Sequence, residues 1–337
     1  MPEPGHLDAH TLRELSPKVF ELDAERETLR IGGFLRASLA RMHRRGVVLG
    51  LSGGVDSSVC AALAARALGP DRVLALLMPE QDSSPDSQRL GEQVARELGL
   101  RCVREEITPA LRALGCYARR DEAMHSLFPD YGAGWKSKLA IAEGSAGRLH
   151  FFDLVVQDPA GREQRRRLSL HAYLRIVAAT NFKQRVRKNL EYFHADSLNY
   201  AVLGTPNRLE FDQGFFVKNG DGAADIKPIA HLYKTQVYAL ARHLGLPDEV
   251  CQAQPTTDTY SLSQGQDEFY FALPWAQMDL ALWARDHERT ATELAGALGV
   301  SEPQAQAVFA DIDAKRRSTA YLHMPALRVP DLEETAP

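Results

Sequence analysis

Short apolar runs rich in β-branched residues alternate with helical segments through the first third of the chain, and this alternation restricts the fold more than any other feature. Gly46–Leu51 (GVVLGL), Arg72–Pro79 (RVLALLMP) and Arg101–Ile107 (RCVREEI) read as strands, being short apolar or β-branched runs bounded by turn residues. Between them SSVCAALAARALG and SPDSQRLGEQVARELG read as helices ending at Gly69 and Gly99, glycine being the residue best suited to a left-handed helix end. A short helix, TPALRALG, follows the third strand, and Leu22, Leu29, Ile31, Phe34, Leu35, Leu39 and Met42 recur at helical spacing over about residues 23–43. The predicted fold is α/β: a doubly wound parallel sheet with helices on both faces, whose ligand crevice lies at the carboxyl ends of the strands.

From about 117 to 170 the alternation stops. LHFFDLVVQDPAGREQRRRLSL reads as a β-hairpin about the turn Asp158-Pro159-Ala160-Gly161, within an insertion of about 120–170. Phe151 and Phe152 are expected to pack on it, and the basic run 161–167 reads as its solvated arm. A long helix is expected over about 171–194, then the strand YAVLGT, a Gly/Asp-rich loop KNGDGAADIKP, the helix HLYKTQVYALARHLG and a helical C-terminal region of about 265–320. Residues 1–330 read as one domain and 331–337 as a tail.

Bulk composition excludes several classes. With 337 residues and 45% hydrophobic content the chain can bury a large core. It has no apolar run of about 18 residues, and MPEPGHLDAH lacks the features of a signal peptide, so a cytoplasmic location and no membrane partner are expected. Cys60, Cys102, Cys116 and Cys251 form no Cys-x-x-Cys pair, which argues against zinc and against a disulfide framework. A net charge of −4 does not favour nucleic acid as a partner.

The segment most informative about chemistry follows the first strand: Gly50-Leu51-Ser52-Gly53-Gly54-Val55-Asp56-Ser57-Ser58. Backbone amides of a glycine-rich turn at a helix start bind anions, since the free N–H groups and the helix dipole both favour negative charge. Gly53 and Gly54 permit close approach, and Ser52, Ser57 and Ser58 add hydroxyls. The lysine of a phosphate-transferring loop is absent, and Asp56 stands where it would repel phosphate. A hard cation such as Mg²⁺, which takes carboxylate and phosphate oxygens together, resolves that conflict.

Ser52–Ser58 resembles the pyrophosphate loop of the ATP pyrophosphatases, which cleave ATP between the α and β phosphates and adenylylate a substrate oxygen. LGTPNRLEFDQGFFVKNGDGAADIKPIAHLYKTQVYALARHLGLP and, before it, TNFKQRVRKN are similar to the signature of the NAD synthetase family within that group. The resemblance spans most of residues 20–260. It implies ATP contacts from Gly50 through Ser58 and from Thr205, Lys234 and Thr256, with Mg²⁺ held by Asp56 and Glu210. It places Arg185, Lys218, Asp225, Phe215 and Lys315 at a deamido-NAD⁺ site, with Phe216 beside Phe215, and gives the catalytic roles to Asp56, Lys234 and Asp225. Glu210, at the end of a sheet strand, is expected to face the same crevice as Asp56.

The implied reaction is ATP-dependent amidation of deamido-NAD⁺ with ammonia through an acyl-adenylate, releasing AMP and pyrophosphate. A homodimer built on the long helix is also implied. A glutamine-hydrolysing domain needs a cysteine nucleophile, and the residues before the loop are too few to hold one, so ammonia is expected to arrive free or from a separate glutaminase. His231 and His243 are expected to be structural, and Cys60 a core residue. Pro206, Ala314 and the length of the 147–170 hairpin depart from the family pattern, all on the acceptor side. Alternatives are the same chemistry on another carboxylate or carbonyl, a nucleotide-binding subunit without activity, and a tRNA-modifying enzyme.

Overall fold

A computed structural model describes residues 15–142, 152–256, 259–271 and 273–329. Helix α1 (Ala24–Met42) leads into β1 (Val47–Gly50), α2 (Val55–Leu68), β2 (Val73–Leu77), α3 (Pro85–Glu97), β3 (Arg101–Arg104) and α4 (Thr108–Ala113). After α5 (Cys116–His125) come β4 (Lys136–Ile141), β5 (Phe152–Gln157), β6 (Glu163–Arg167) and the long α6 (Leu170–Leu198). The chain then returns to the sheet with β7 (Ala201–Val202), followed by α7 (Arg208–Gln213), α8 (Lys234–His243), α9 (Asp248–Gln252), α10 (Trp275–Asp286), α11 (Ala291–Leu298) and α12 (Glu302–His323).

The main sheet has the order β3-β2-β1-β7, with every pairing parallel. Strand periodicity then divides the core in two. Val47 and Leu49 of β1 and Val73, Ala75 and Leu77 of β2 join a core with α1, α2, α3 and α8. The alternate residues Val48, Leu74 and Leu76 face a second core with α4, α5 and α6. Both faces are thus covered, which explains why these strands read as continuous apolar runs. The C-terminal helices have a core of their own, and Trp275 packs against both it and the first.

Two parts differ from the sequence expectation. The insertion is a helix and a three-stranded antiparallel sheet, β4-β5-β6, rather than a hairpin alone. The β5–β6 turn lies where expected: Asp158 Oδ1 accepts from the amides of Ala160 (2.9 Å) and Arg162 (3.0 Å), and Gly161 takes φ +83°. Strand β4 is hard to read in KSKLAI because one of its inward positions is Ser137, whose hydroxyl accepts from Tyr131 at 3.2 Å. Phe152 stacks on Tyr173 with ring centroids 4.4 Å apart, while Phe151 lies outside the described residues. Arg165 and Arg167 both donate to Asp153, at 2.7 and 2.6 Å, on an exposed strand. The second difference is at YAVLGT, where only Ala201–Val202 pair as strand. The chain leaves the sheet earlier than predicted, and this decides where the following acid sits.

Candidate active site

Leu51 donates its amide to Leu76 O (2.8 Å) as the chain leaves β1, and the turn that follows admits no side chain at Gly53. Gly53 has φ +77°, and a Cβ there would lie 2.5 Å from Ser87 O and 2.8 Å from Leu90 Cβ. Gly54 is the N-cap of α2 and offers no capping side chain. The first-turn amides of α2 therefore have neither an intrahelical acceptor nor an N-cap side chain to take them. Ser57 Oγ accepts from Ser52 N (3.2 Å) and donates to Gly54 O (3.1 Å), while Ser58 Oγ donates to Gly54 O (2.8 Å). These hydroxyls brace the turn from beneath.

Asp56 occupies the second position of α2 and meets groups from two distant elements. Its Oδ1 accepts from Asn207 Nδ2 (3.0 Å), and its Oδ2 pairs with Lys234 Nζ. Asn207 is fully buried and is the N-cap of α7: its side chain accepts from Glu210 N (3.2 Å) and its amide donates to Glu210 Oε2 (3.3 Å). This is a capping box. Glu210 therefore sits in a short helix and not at a strand end, a correction that follows from the early exit of β7. The helix keeps Glu210 beside Asp56 because one asparagine bonds to both. Burial, and next the charge of Asp56, push the Glu210 carboxyl up to about 7, with Lys234 opposing.

Lys234 opens α8 and is 1% exposed. Burial disfavours its charge, but Asp56 and Glu210 outweigh that and hold it above the ordinary lysine value. The start of α8 is capped from α10: Asp279 accepts from Lys234 N (3.2 Å), Thr235 N (2.7 Å) and Thr235 Oγ1 (2.6 Å). Burial pushes the Asp279 carboxyl up to about 6 against these donors. Asp279→Ala removes the acceptor for two first-turn amides, that of Lys234 buried and that of Thr235 partly so, and is expected to destabilise the protein by about 1–3 kcal/mol. Denaturant unfolding measures this, with Asp279→Asn recovering part of the loss.

The residues assigned by resemblance to the acceptor side fall into separate groups. Arg185 on α6 donates to Lys218 O (3.3 Å), and Lys218 Nζ donates to Tyr321 O (2.6 Å) and Met324 O (3.0 Å) at the end of α12. Asp225 accepts from Val202 N (2.7 Å) and from Tyr192 Oη (3.4 Å), so one of its oxygens secures the end of β7. Phe215 stacks on Tyr270 with centroids 4.7 Å apart, and Phe216 lies 6.1 Å from Phe211. Lys315 is buried and donates to Tyr270 O (2.6 Å) and Asp311 Oδ2 (2.6 Å); burial lowers its proton affinity. Thr205 is half-buried on the turn after β7, and Thr256 is exposed and bridges to Gly265. His231 and His243 bond to Glu27 (2.7 Å) and Glu25 (3.1 Å), tying α1 to the region of α8. Cys60 is fully buried, and burial followed by the charges of Asp56 and Glu210 raises its thiol well above the ordinary value.

Asp56, Glu210 and Lys234 thus share a bonded cluster, whereas Phe215 and Lys315 meet at Tyr270 instead. Asn207, Asp279 and Gln266, whose Nε2 donates to Glu210 Oε1 (2.9 Å), belong to the first cluster and are not among the residues the sequence points to. Asn207 had a readable signal, since Asn-x-x-Glu is a capping-box pattern. Among the described residues no group of three or more His, Cys, Asp or Glu is arranged to hold a metal by itself, and no helix is long and apolar enough to cross a membrane.

The family model described as NAD synthase matches residues 28–127 and 162–319. An NH(3)-dependent NAD(+) synthetase from Rhizobium meliloti (strain 1021) is 55% identical over 320 residues, covering 95% of this chain and 96% of the relative. Among solved structures, an NMN synthetase from Francisella tularensis superposes with a TM-score of 0.63 at 20% identity, covering 93% of this chain and all of that one. An NH3-dependent NAD synthetase from Campylobacter jejuni superposes with a TM-score of 0.61 at 23% identity, covering 92% of this chain and all of that one. These two show a shared fold, and with the family match and the 55% relative they lead to one statement: the chain belongs to the NAD synthase family.

Proposed function

We propose that this protein is an ATP-dependent carbon–nitrogen ligase that amidates deamido-NAD⁺ with ammonia, through an acyl-adenylate, releasing AMP and pyrophosphate. The observation that carries the proposal is the Asp56–Asn207–Glu210–Lys234 cluster beside a glycine turn at a helix start. The relative named as an NH(3)-dependent NAD(+) synthetase supports the acceptor and the nitrogen donor.

Residues Gly50–Ser58 receive the polyphosphate, the first-turn amides of α2 facing its negative charge. Lys234 is the cation nearest Asp56 and exchanges that partner for phosphate oxygens when ATP enters. Asp56 and Glu210 fit a divalent ion, because Asn207 holds the two acids side by side and Lys234 can balance the charge of only one of them. When bound there with ATP, Mg²⁺ would supply charge neutralisation at the phosphates. Thr205 and Thr256 complete the ATP contacts. Arg185, Lys218, Asp225, Phe215 and Lys315 are assigned to the acceptor, the last two meeting at Tyr270 in this structure.

The acceptor carboxylate is already a competent nucleophile, so the first step needs positioning and not a general base. Ammonium has to lose a proton before the second step, and Asp225 is assigned as its acceptor. Leu170, Leu174 and Phe193 on α6 are 72%, 54% and 63% exposed, which supports a homodimer across that helix. The free cysteines suit a reducing cytoplasm, and residues 1–330 are read as one catalytic domain.

The test is pyrophosphate release from ATP in the presence of ammonia, with deamido-NAD⁺ first in a panel of carboxylate acceptors. Release dependent on deamido-NAD⁺, with stoichiometric AMP and NAD⁺, is the expected result. Turnover confined to a different carboxylate would overturn the acceptor, and no pyrophosphate with any acceptor would overturn the enzymatic reading.

A further inference from the structure

The segment between α9 and α10 is fastened at one end to α6 and the insertion and at the other to Glu210. Lys183 Nζ donates to Thr259 O (2.7 Å), and β4 pairs with the segment through Ser137, whose amide donates to Ser261 Oγ (2.9 Å) and whose carbonyl accepts from Leu262 N (3.1 Å). Further along, Gln266 donates its amide to Pro255 O (3.2 Å) and its side-chain Nε2 to Glu210 Oε1 (2.9 Å).

Glu210 therefore has each oxygen held from a different side. Oε2 is held locally, by the capping box of α7, while Oε1 is held by a residue 56 positions away. The local bond leaves the carboxylate plane free to turn about it, and the second donor removes that freedom. A neutral amide does this without competing for the negative charge, so the remaining lone pairs stay available to a cation. A lysine or arginine at the same place would neutralise the acid instead.

We propose that Gln266 is a positioning residue that fixes the carboxylate plane of Glu210 for a divalent cation carried with ATP, and that the insertion sheet holds the segment that delivers it. This rests on the reading of Glu210 as a metal-binding acid. The test uses Mn²⁺ as the probe, its binding to the full-length protein with an unreactive ATP analogue being followed by the loss of the free-ion paramagnetic signal. Gln266→Met, which keeps the side-chain length and removes the donor, is expected to weaken Mn²⁺ binding by about 10-fold or more, with the KM for deamido-NAD⁺ unchanged. Gln266→Ala is expected to act in the same direction, which separates loss of the donor from a packing defect peculiar to methionine. Ser263→Ala, on the same segment and exposed, is expected to leave Mn²⁺ binding as in the parent protein. Parental affinity in both Gln266 variants, alongside weakened binding in Glu210→Gln, would overturn the role of Gln266 alone. Parental affinity in Glu210→Gln as well would overturn the metal assignment and the positioning role with it.

Discussion

Lys234→Met is expected to lower kcat/KM for ATP by about 10³–10⁵-fold, the range seen when a cation facing a transferring phosphoryl group is lost. The lysine is buried at the mouth of α8, its ammonium rests on Asp56, and its backbone is held by Asp279. Methionine fills much of the same space, so the fold should survive and the loss should be one of charge. Removing the ammonium leaves Asp56 and Glu210 facing each other without compensation, in a setting where burial already disfavours a second negative charge. Single-turnover pyrophosphate release with saturating deamido-NAD⁺ measures the effect on adenylylation directly. A rate within about 10-fold of the parent would show that the amides of the glycine turn and the metal suffice, and would remove Lys234 from the mechanism.

Lys183→Met is expected to cost about 3–5 kcal/mol of stability, the usual penalty for stranding buried charge. Lys183 is fully buried on α6 and donates to Glu80 Oε1 (2.8 Å) and Asp82 Oδ2 (2.7 Å) on the loop after β2. Tyr117 Oη donates to Glu80 Oε2 (2.7 Å), and Arg120 pairs with Asp82, so α5 is drawn into the same network. Burial by itself pushes the Asp82 carboxyl up, but Lys183 and Arg120 outweigh it and hold the group below 3.8, its ordinary value. The stabilisation from Asp82 is accordingly complete above that ordinary value and fades as the pH falls toward the depressed one. Equilibrium unfolding in denaturant at neutral pH measures the loss, and the double change Lys183→Met with Glu80→Gln is expected to recover part of it. Additive losses in that double variant would show that the two residues act independently.

Local pattern carried most of the main sheet. The strand Val47–Gly50 and the Gly69 end of α2 are each set by neighbours within a few residues and are legible in the chain, whereas α2 starts at Val55, two residues before the Ser57 start read from the sequence, with no capping side chain at Gly54 to mark it. The same holds for the turn at Asp158–Gly161, whose aspartate bonds to amides two and four positions on. Where local signals conflict, the reading failed. Strand β4 buries a serine that pairs with a segment more than a hundred residues away, so no alternation in KSKLAI marks its inner face. YAVLGT reads as strand through Thr205, yet after Leu203 donates its amide to Val48 O (2.9 Å) the chain leaves β1: Gly204 donates to Ile226 O (2.8 Å) and lies against Ala224, so a later loop and not the sheet takes the next amide.

The turn after β1 could be read because it is a contiguous string whose backbone conformation permits glycine and little else at Gly53. What the sequence determined alone was thus a parallel sheet with a glycine turn at a helix start and an aspartate placed in it. The convergence of Asp56 with Asn207, Lys234 and, through Glu210, Gln266 was decided by tertiary structure, since the direct partners of Asp56 lie 151 and 178 positions away. Periodicity and capping are encoded between near neighbours, whereas the meeting of side chains across a crevice depends on how whole helices pack, and no short-range pattern records that.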